Sequence, residues 1–168
     1  MDDGWSLGDY PAEDLFEMAA TVEQGGFDFY ARLIARTSDP EVMRELKDLR
    51  DEEARHKSFF LQLLRDRGLT PKGPVSPGLK AILDREFIQP TVRAYATGTA
   101  SDRNRVLEFA VGLEEKSIAF YKALQSSCTG PGQHDEISRI MADEKKHKSK
   151  LVDLLAHQSA KDGSWSLP

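Results

Sequence analysis

The sequence is short of cysteine and of long apolar runs, and each shortage excludes a class of protein. Cys128 is the only cysteine, so the chain has no internal disulfide and no Cys-x-x-Cys metal knuckle. No stretch approaches the roughly 18 consecutive apolar residues of a membrane span. The acidic start, Met1 to Gly4, lacks the positive charge and apolar segment of a signal peptide. We therefore expect a soluble, cytoplasmic protein with no membrane partner.

A basic face and strand-like alternation are also missing. The formal net charge is −5, and acidic and basic residues are interspersed along the chain. The lysines between 145 and 150 fit the solvated side of a helix, so no nucleic-acid partner is expected. At 168 residues the chain is long enough for one domain with a hydrophobic core, whereas two domains would be cramped.

Helical periodicity dominates the chain and predicts an all-α fold. We expect two helix pairs, at about 11–67 and 101–157, and a flexible tail at 158–168. The proline- and glycine-rich stretch 70–78 favours a non-helical linker between the pairs. In the crossover 68–100, a short helix from Leu79 to about Gln89 should stop at Pro90. Short loops within each pair and a long crossover between them predict an antiparallel four-helix bundle.

One set of polar residues occurs twice at a constant spacing. A glutamate is followed seven residues later by tyrosine and thirty residues later by Glu-x-x-His, and each member recurs 91 residues on (114 − 23, 121 − 30, 144 − 53, 147 − 56). Such a duplication indicates one half-site built twice. The first copy is Glu23, Tyr30, Glu53 and His56; the second is Glu114, Tyr121, Glu144 and His147.

The duplicated ligand candidates lie on the apolar seams of their helices. The seam of the second helix, for example, consists of Leu46, Leu49, Glu53, His56, Phe60 and Leu63. Four glutamates at one depth would each cost several kcal/mol of burial without a compensating charge. Two divalent cations balance four carboxylates, and mixed oxygen and nitrogen donors suit iron or manganese. The pattern therefore predicts a two-metal centre in the core.

Other interpretations of individual residues remain open. A single Glu-x-x-His pair is usually a solvated pair on a helix surface, and the six residues together could form a satisfied polar core. Tyr30 and Tyr121 fit core aromatics as well as hydrogen-bond donors to a ligating carboxylate, which is their candidate catalytic role. The pair Gly25-Gly26 favours close helix approach or room beside the metals. The flanking acids Asp51, Glu52, Glu115 and Asp143 are predicted to point away from the seams, as surface residues.

These motifs resemble the di-iron motif of rubrerythrins, within the ferritin-like superfamily. The resemblance spans both helix pairs and rests on Glu23, Glu53-Ala54-Arg55-His56, Glu114, Glu144-Lys145-Lys146-His147 and the two tyrosines. It implies that Glu53 and Glu144 bridge two iron ions and that Glu23 and Glu114 are terminal ligands. It also implies that His56 and His147 bind one metal each, with manganese or zinc as possible substitutes.

The chain departs from the rubrerythrin pattern in two places. Rubrerythrins usually carry a further glutamate one turn after the third-helix ligand, where this chain has Ser117. They usually also carry a C-terminal rubredoxin domain with two cysteine pairs, which one cysteine cannot provide. Electrons are therefore expected from a separate protein. The resemblance further implies a homodimer or larger homo-oligomer.

Three functions are compatible with this pattern. The leading one is redox chemistry on ferrous iron with peroxide or O2, as in a rubrerythrin-like peroxidase or ferroxidase. The second is a non-catalytic, ferritin-like iron-binding or storage protein. The third is a bundle that uses metal only for stability. Repeated peroxide turnover with an added reductant favours the first, and many irons per chain favour the second.

Overall fold

A computed structural model describes residues 7–8, 10–71, 76–96, 103–127, 130 and 132–162, and these contain helices but no strand. Two pairs of long helices are connected by a short helical crossover. The α-helices of the described residues are α1 (Ala12–Ile34), α2 (Pro40–Arg65), α3 (Pro77–Leu83), α4 (Gln89–Ala96), α5 (Arg103–Ser127) and α6 (Gln133–Asp162).

Local sequence signals fix the ends of α2. Pro40 occupies the first turn, where its missing N–H costs nothing, and the Asp39 carboxylate accepts hydrogen bonds from the backbone N–H groups of Glu41 (3.0 Å) and Val42 (3.3 Å). Beyond the C-terminus, Gly68 adopts a φ of +69°, a conformation that a side chain would strain. These signals set the start and the end of α2.

The four long helices form an antiparallel bundle. The helix α1 packs mainly on α2 and α5 mainly on α6, and the two pairs meet through contacts of α2 with α6 and of α1 with α5. The predicted fold class, an all-α, ferritin-like four-helix bundle of two helix pairs with a long crossover, is thus confirmed. The helix pairs follow from the short loops, because a short loop places the start of one helix beside the end of the helix before it.

Two apolar clusters occupy the bundle, one towards each end. One contains Phe16, Phe60, Tyr121 and Ile137, and the other contains Tyr30, Leu49, Leu107 and Leu151. On every long helix, the polar residues of the duplicated pattern lie between the members of these clusters. The predicted seam of α2 is buried with one difference: Leu64 is fully buried while Leu63 is only partly so.

The crossover differs from the prediction, because the helix does not stop at Pro90. A π-helical turn (Asp84–Ile88) leads directly into α4, so the helical path runs from Pro77 to Ala96. Pro90 has no N–H for the carbonyl of Glu86, but that carbonyl accepts a 3.0 Å hydrogen bond from the Lys116 ammonium on α5. The linker prediction was also wrong at Pro77 and Gly78, which begin α3.

The second helix pair begins and ends at the boundaries of described segments, at Arg103 and Asp162. The helix α6 continues to Asp162, five residues past its predicted end near His157. Residues 163–168 of the predicted tail, the first two residues of the predicted pair 101–157 and Cys128 lie outside the described residues. No helix in the described part of the chain is long and apolar enough to cross a membrane.

Candidate metal centre

The structure brings all six predicted ligand residues together in the middle of the bundle. Each is at most 6% exposed, although each carries a polar or charged side chain. The helix α1 provides one carboxylate and α2 a carboxylate and an imidazole, and α5 and α6 repeat this arrangement. The residues are Glu23, Glu53, His56, Glu114, Glu144 and His147.

The first half of the cluster surrounds His56. Its Nδ1 atom lies 3.0 Å from Glu144 Oε1 and 3.3 Å from Glu23 Oε2. The donor atoms of these three buried residues all lie within 4.8 Å of one another, which is close enough for one metal ion to contact them together. Because Glu144 comes from α6, this half is completed by the opposite helix pair.

The second half surrounds His147 in the same way. Its Nδ1 atom lies 3.1 Å from Glu53 Oε1, 3.8 Å from Glu114 Oε2 and 4.0 Å from Glu144 Oε1. These four residues form a second group whose donor atoms could share one ion. Glu144 belongs to both groups, whereas Glu53 belongs to this one. The two imidazole rings stack at 5.8 Å between centroids, with 22° between their planes.

Several inward-facing atoms of the cluster have no hydrogen-bond partner among the described residues. Buried polar atoms are nearly always paired, so a group of unpaired ones needs an explanation. The unpaired atoms of the cluster are Glu23 Oε2, Glu53 Oε1, His56 Nδ1, Glu144 Oε1 and His147 Nδ1. All five are carboxylate oxygens or imidazole nitrogens, the donors that a first-row transition metal prefers. The residues present therefore fit a metal centre.

The outer nitrogen of each histidine meets an acid from the opposite helix pair. His147 Nε2 lies 2.6 Å from Glu52 Oε2, and His56 Nε2 lies 3.5 Å from Asp143 Oδ2. An acceptor at Nε2 favours the tautomer that leaves the Nδ1 lone pair free to face the cluster. The prediction that Glu52 and Asp143 point to the surface was thus wrong: their side chains are only 24% and 35% exposed.

A signal for these two acids was present in the sequence. Each stands directly before the glutamate of its Glu-x-x-His motif, and the two are again 91 residues apart (143 − 52). The other flanking acids are exposed, as predicted. Asp51 pairs with Arg50 at 2.7 Å, and Glu115 pairs with Lys148 at 2.7 Å.

Both tyrosines of the duplicated pattern donate hydrogen bonds to the cluster. The Tyr30 hydroxyl donates to Glu114 Oε1, and the Tyr121 hydroxyl donates to Glu23 Oε1. Burial and then the neighbouring carboxylates raise the pKa of both phenols well above the usual range, so both keep their protons. Each tyrosine therefore holds a carboxylate of the opposite helix pair.

Burial and mutual repulsion make the bare cluster retain protons. Burial, followed by the charges of neighbouring glutamates, raises the pKa of Glu53 and of Glu144 well above the usual range. Burial acts to lower the pKa of His147, but the close carboxylates of Glu114 and Glu53 outweigh it and raise that pKa to about 11. Burial likewise opposes the ionised form of Glu114, yet His147 and Tyr30 keep its pKa below the usual range. Without metal, protons thus provide the compensating charge.

Gly26 on α1 makes room for one of the carboxylates. A Cβ atom at this position would overlap the Glu53 side chain and lie 2.9 Å from its Cδ. The carboxylate of Glu53 therefore rests directly against the backbone of α1. Gly25, by contrast, would meet no atom within 4 Å. Of the two predicted alternatives, close helix approach or room beside the metals, Gly26 fits the second, and Gly25, which is exposed, supports neither.

A comparison with known protein families identifies the chain. The rubrerythrin family model matches residues 14–155, which include both helix pairs and all six residues of the cluster. Comparisons with curated proteins and with solved structures found no match. Because the family match covers most of the chain and agrees with the fold and the buried cluster, the protein belongs to the rubrerythrin family.

Proposed function

We propose that the cluster binds two iron ions and that the chain is a di-iron oxidoreductase. One ion would lie between Glu23, His56 and Glu144, and the other between Glu53, Glu114, Glu144 and His147. Glu144 already belongs to both groups of donor atoms. Glu53 is proposed as the second bridge because its carboxylate lies against Gly26 of α1, while its Oε1 atom faces His147 of the opposite helix pair at 3.1 Å. Membership of the rubrerythrin family supports iron, while manganese and zinc remain substitutes.

The observation that carries this proposal is the set of unpaired inward-facing atoms. Four carboxylates and two imidazoles are buried together, and five of their donor atoms have no hydrogen bond with any described residue. A merely structural polar core would pair these atoms with one another or with backbone groups. Cations between the carboxylates would instead satisfy the donor atoms and neutralise the charge.

The protein's own residues prepare the site for reaction. A ferrous pair supplies two electrons for the reduction of peroxide or O2. Tyr30 and Tyr121 fix the terminal carboxylates, and Glu52 and Asp143 fix the histidine rings. The apolar clusters above and below shield the two ends of the site from bulk water. We therefore propose peroxidase or ferroxidase chemistry, with electrons from a separate donor protein.

Metal binding and oxidation of ligand variants test the proposal. The purified chain is loaded with ferrous iron without oxygen, analysed for bound metal, and then exposed to peroxide or O2 while its near-ultraviolet absorbance is followed. Glu53→Ala and Glu144→Ala should each lose stable two-metal binding, since each removes an inward-facing oxygen. Glu115→Ala should bind as the parent does, because Glu115 pairs with Lys148 at the surface.

Three outcomes would contradict parts of this proposal. Tight binding of two metals by both ligand variants would show that the bridging residues are misassigned. Accumulation of many irons per chain would indicate storage instead of catalysis. Metal that raises only thermal stability, with no change of absorbance on oxidation, would indicate a structural role.

A further inference from the structure

A cleft opens beside the proposed metal centre. It has a volume of about 240 Å³ and lies between α1, α5 and the helical crossover. Most of its wall is apolar: Val22 and Phe29 from α1, Leu113 from α5, and Leu83 and Phe87 from the crossover. None of these residues is one of the six members of the cluster. The cleft is therefore a feature that the proposed function leaves unexplained.

The two ends of the cleft differ in polarity. Its inner end is formed by buried polar residues, Glu53, Glu114 and Ser117. Its mouth includes two exposed apolar residues of the crossover, Ile88 at 44% and Val92 at 53% exposure. Ligand pockets commonly combine an apolar wall with a few polar groups at one place. Here those polar groups belong to the cluster itself.

Small residues at duplicated positions line this space. Gly26 and Ser117 follow Glu23 and Glu114 by one helical turn and are themselves 91 residues apart (117 − 26), and both line the cleft. Neither carries a side chain long enough to fill the inner end. Gly25 leaves the mouth open, since a Cβ there would meet no atom within 4 Å. The opening thus reaches the cluster from both helix pairs.

We propose that this cleft binds an organic hydroperoxide, a molecule with an apolar body and a single neutral oxygen-bearing head, as the substrate of the metal centre. An apolar cavity of about 150 Å³ can hold benzene, so the 240 Å³ here accommodate a substituted ring or a medium alkyl chain. Two divalent cations would balance the four glutamates, so a carboxylate head would add an uncompensated charge at the inner end, whereas a hydroperoxyl group is neutral. Hydrogen peroxide has no body to contact the apolar wall.

This inference rests on the proposed function for the chemistry that follows binding. Reduction of a hydroperoxide breaks its O–O bond, takes two electrons and two protons, and gives the alcohol and water. Ferrous ions held by the cluster would supply the two electrons, one each, and water would supply the protons. Binding itself needs no redox step, so it can be tested separately.

Binding is measured on the full chain loaded with zinc, which cannot exchange electrons. The probe is cumyl alcohol, the reduction product of cumene hydroperoxide, and the readout is methyl NMR. Saturable shifts are expected at the methyl groups of Ile88, Val92 and Leu113, all in the cleft, but not at Val152 on the exposed face of α6. Gly25→Leu should fill the mouth and weaken binding about tenfold or more.

Gly112→Leu is the matched control. Gly112 also lies inside a helix, a Cβ there would meet no atom within 4 Å, and it does not line the cleft. This variant should bind the probe as the parent does. Equal binding by Gly25→Leu, or no saturable shift in the parent, overturns the inference. Shifts at Ile88 and Val92 that follow protein concentration without the probe also overturn it, because they would mean that a second copy covers the cleft.

Iron-loaded protein separates this inference from the proposed function. With a chemical reductant, Gly25→Leu should slow the reduction of cumene hydroperoxide about tenfold and leave that of hydrogen peroxide nearly unchanged. Equal slowing of both peroxides overturns the hydroperoxide assignment. If the zinc form binds the probe but the iron form is not oxidised by either peroxide, the proposed function is contradicted. The cleft would then be a binding site with no redox reaction.

Discussion

At the scale of single residues, each histidine of the cluster lies between carboxylates on both sides. His147 faces Glu53 and Glu114 with Nδ1 and Glu52 with Nε2. His56 is held in the same manner by Asp143 on its outer side. An acid at the outer nitrogen fixes both the ring orientation and the tautomer. Metal affinity should therefore depend on two residues that touch no metal.

Neutral replacements of these outer acids test this dependence. Glu52→Gln and Asp143→Asn keep the side-chain size but weaken the acceptor, so each should lower metal affinity by roughly tenfold or more. Asp51→Asn is the matched control, because Asp51 is exposed and pairs only with Arg50 among the described residues. The measurement is competition of each variant with a chelator of known affinity. Affinities equal to that of the control would show that the outer acids do not tune the site.

The candidate site could be predicted from the sequence where the duplication marks it. Glu53 and His56 share one helix face, and the offset of 91 residues located their counterparts. The outer acids were missed because each was judged against the seam of its own helix. Glu52 in fact acts across the bundle, on the histidine of α6. A helical period describes one helix and carries no information on which neighbouring side chain lies opposite.

At the scale of the helix, α1 depends on a glycine that disfavours helix formation. Gly26 costs about 1 kcal/mol of helix propensity relative to alanine. It is retained in the structure where its missing side chain lets the Glu53 carboxylate approach the backbone. Local preference and site geometry thus oppose each other at this position.

Gly26→Ala separates these two effects. The variant should gain helix propensity but force the Glu53 carboxylate to move, so metal affinity should fall by roughly tenfold while the metal-free chain keeps its stability. Gly112→Ala on α5 has open space around the new Cβ and should only become more stable, by about 1 kcal/mol. Metal titration and denaturant unfolding of both variants are the measurements. Unchanged metal affinity in Gly26→Ala would mean that Glu53 does not need its present position.

The crossover includes a contact with Lys116 that could not be predicted from the sequence. Pro90 deprives the Glu86 carbonyl of its helical partner, and Lys116 supplies one from α5. The same ammonium also pairs with the Glu86 carboxylate at 3.0 Å. A rule that ends helices at proline fails here because a residue 30 positions away satisfies the carbonyl. Such a partner becomes visible only when the helices are packed.

Lys116→Met should therefore destabilise the chain. The variant keeps the length of the side chain but leaves the Glu86 carbonyl without this donor, and we expect a loss of about 1 kcal/mol, moderated by partial exposure. Lys148→Met, which removes only an exposed pair with Glu115, serves as the control and should change stability less. Denaturant unfolding compares the two. An equal effect of both variants would mean that the Lys116 contact does not stabilise the crossover.

At the scale of the whole molecule, the two halves of the chain complete each other. Tyr30 and Glu52 from the first half hold Glu114 and His147, and Tyr121 and Asp143 from the second half hold Glu23 and His56. The cluster is therefore a product of the assembled bundle. Apolar clusters on both sides make its charge costly, and protons on His147, Glu53 and Glu144 offset that cost only in part.

Fold and site differ in how far the sequence determines them. The bundle could be predicted because long periodic helices and short loops leave few arrangements. The cleft could not, because one wall comes from the crossover helix, which continues through Pro90 and contacts Lys116 of α5. The helical period predicts which residues share one face of a helix. The space of the cleft depends instead on how α1, α5 and the crossover pack together.

The most direct test is a crystal structure of the iron-loaded chain with anomalous data collected at the iron edge. We predict two anomalous peaks inside the bundle, one beside His56 Nδ1 and the other beside His147 Nδ1, with Glu144 in contact with both. A bundle in which these carboxylates face one another without any peak, although the crystals contain iron, would contradict the claim that cations hold the cluster together.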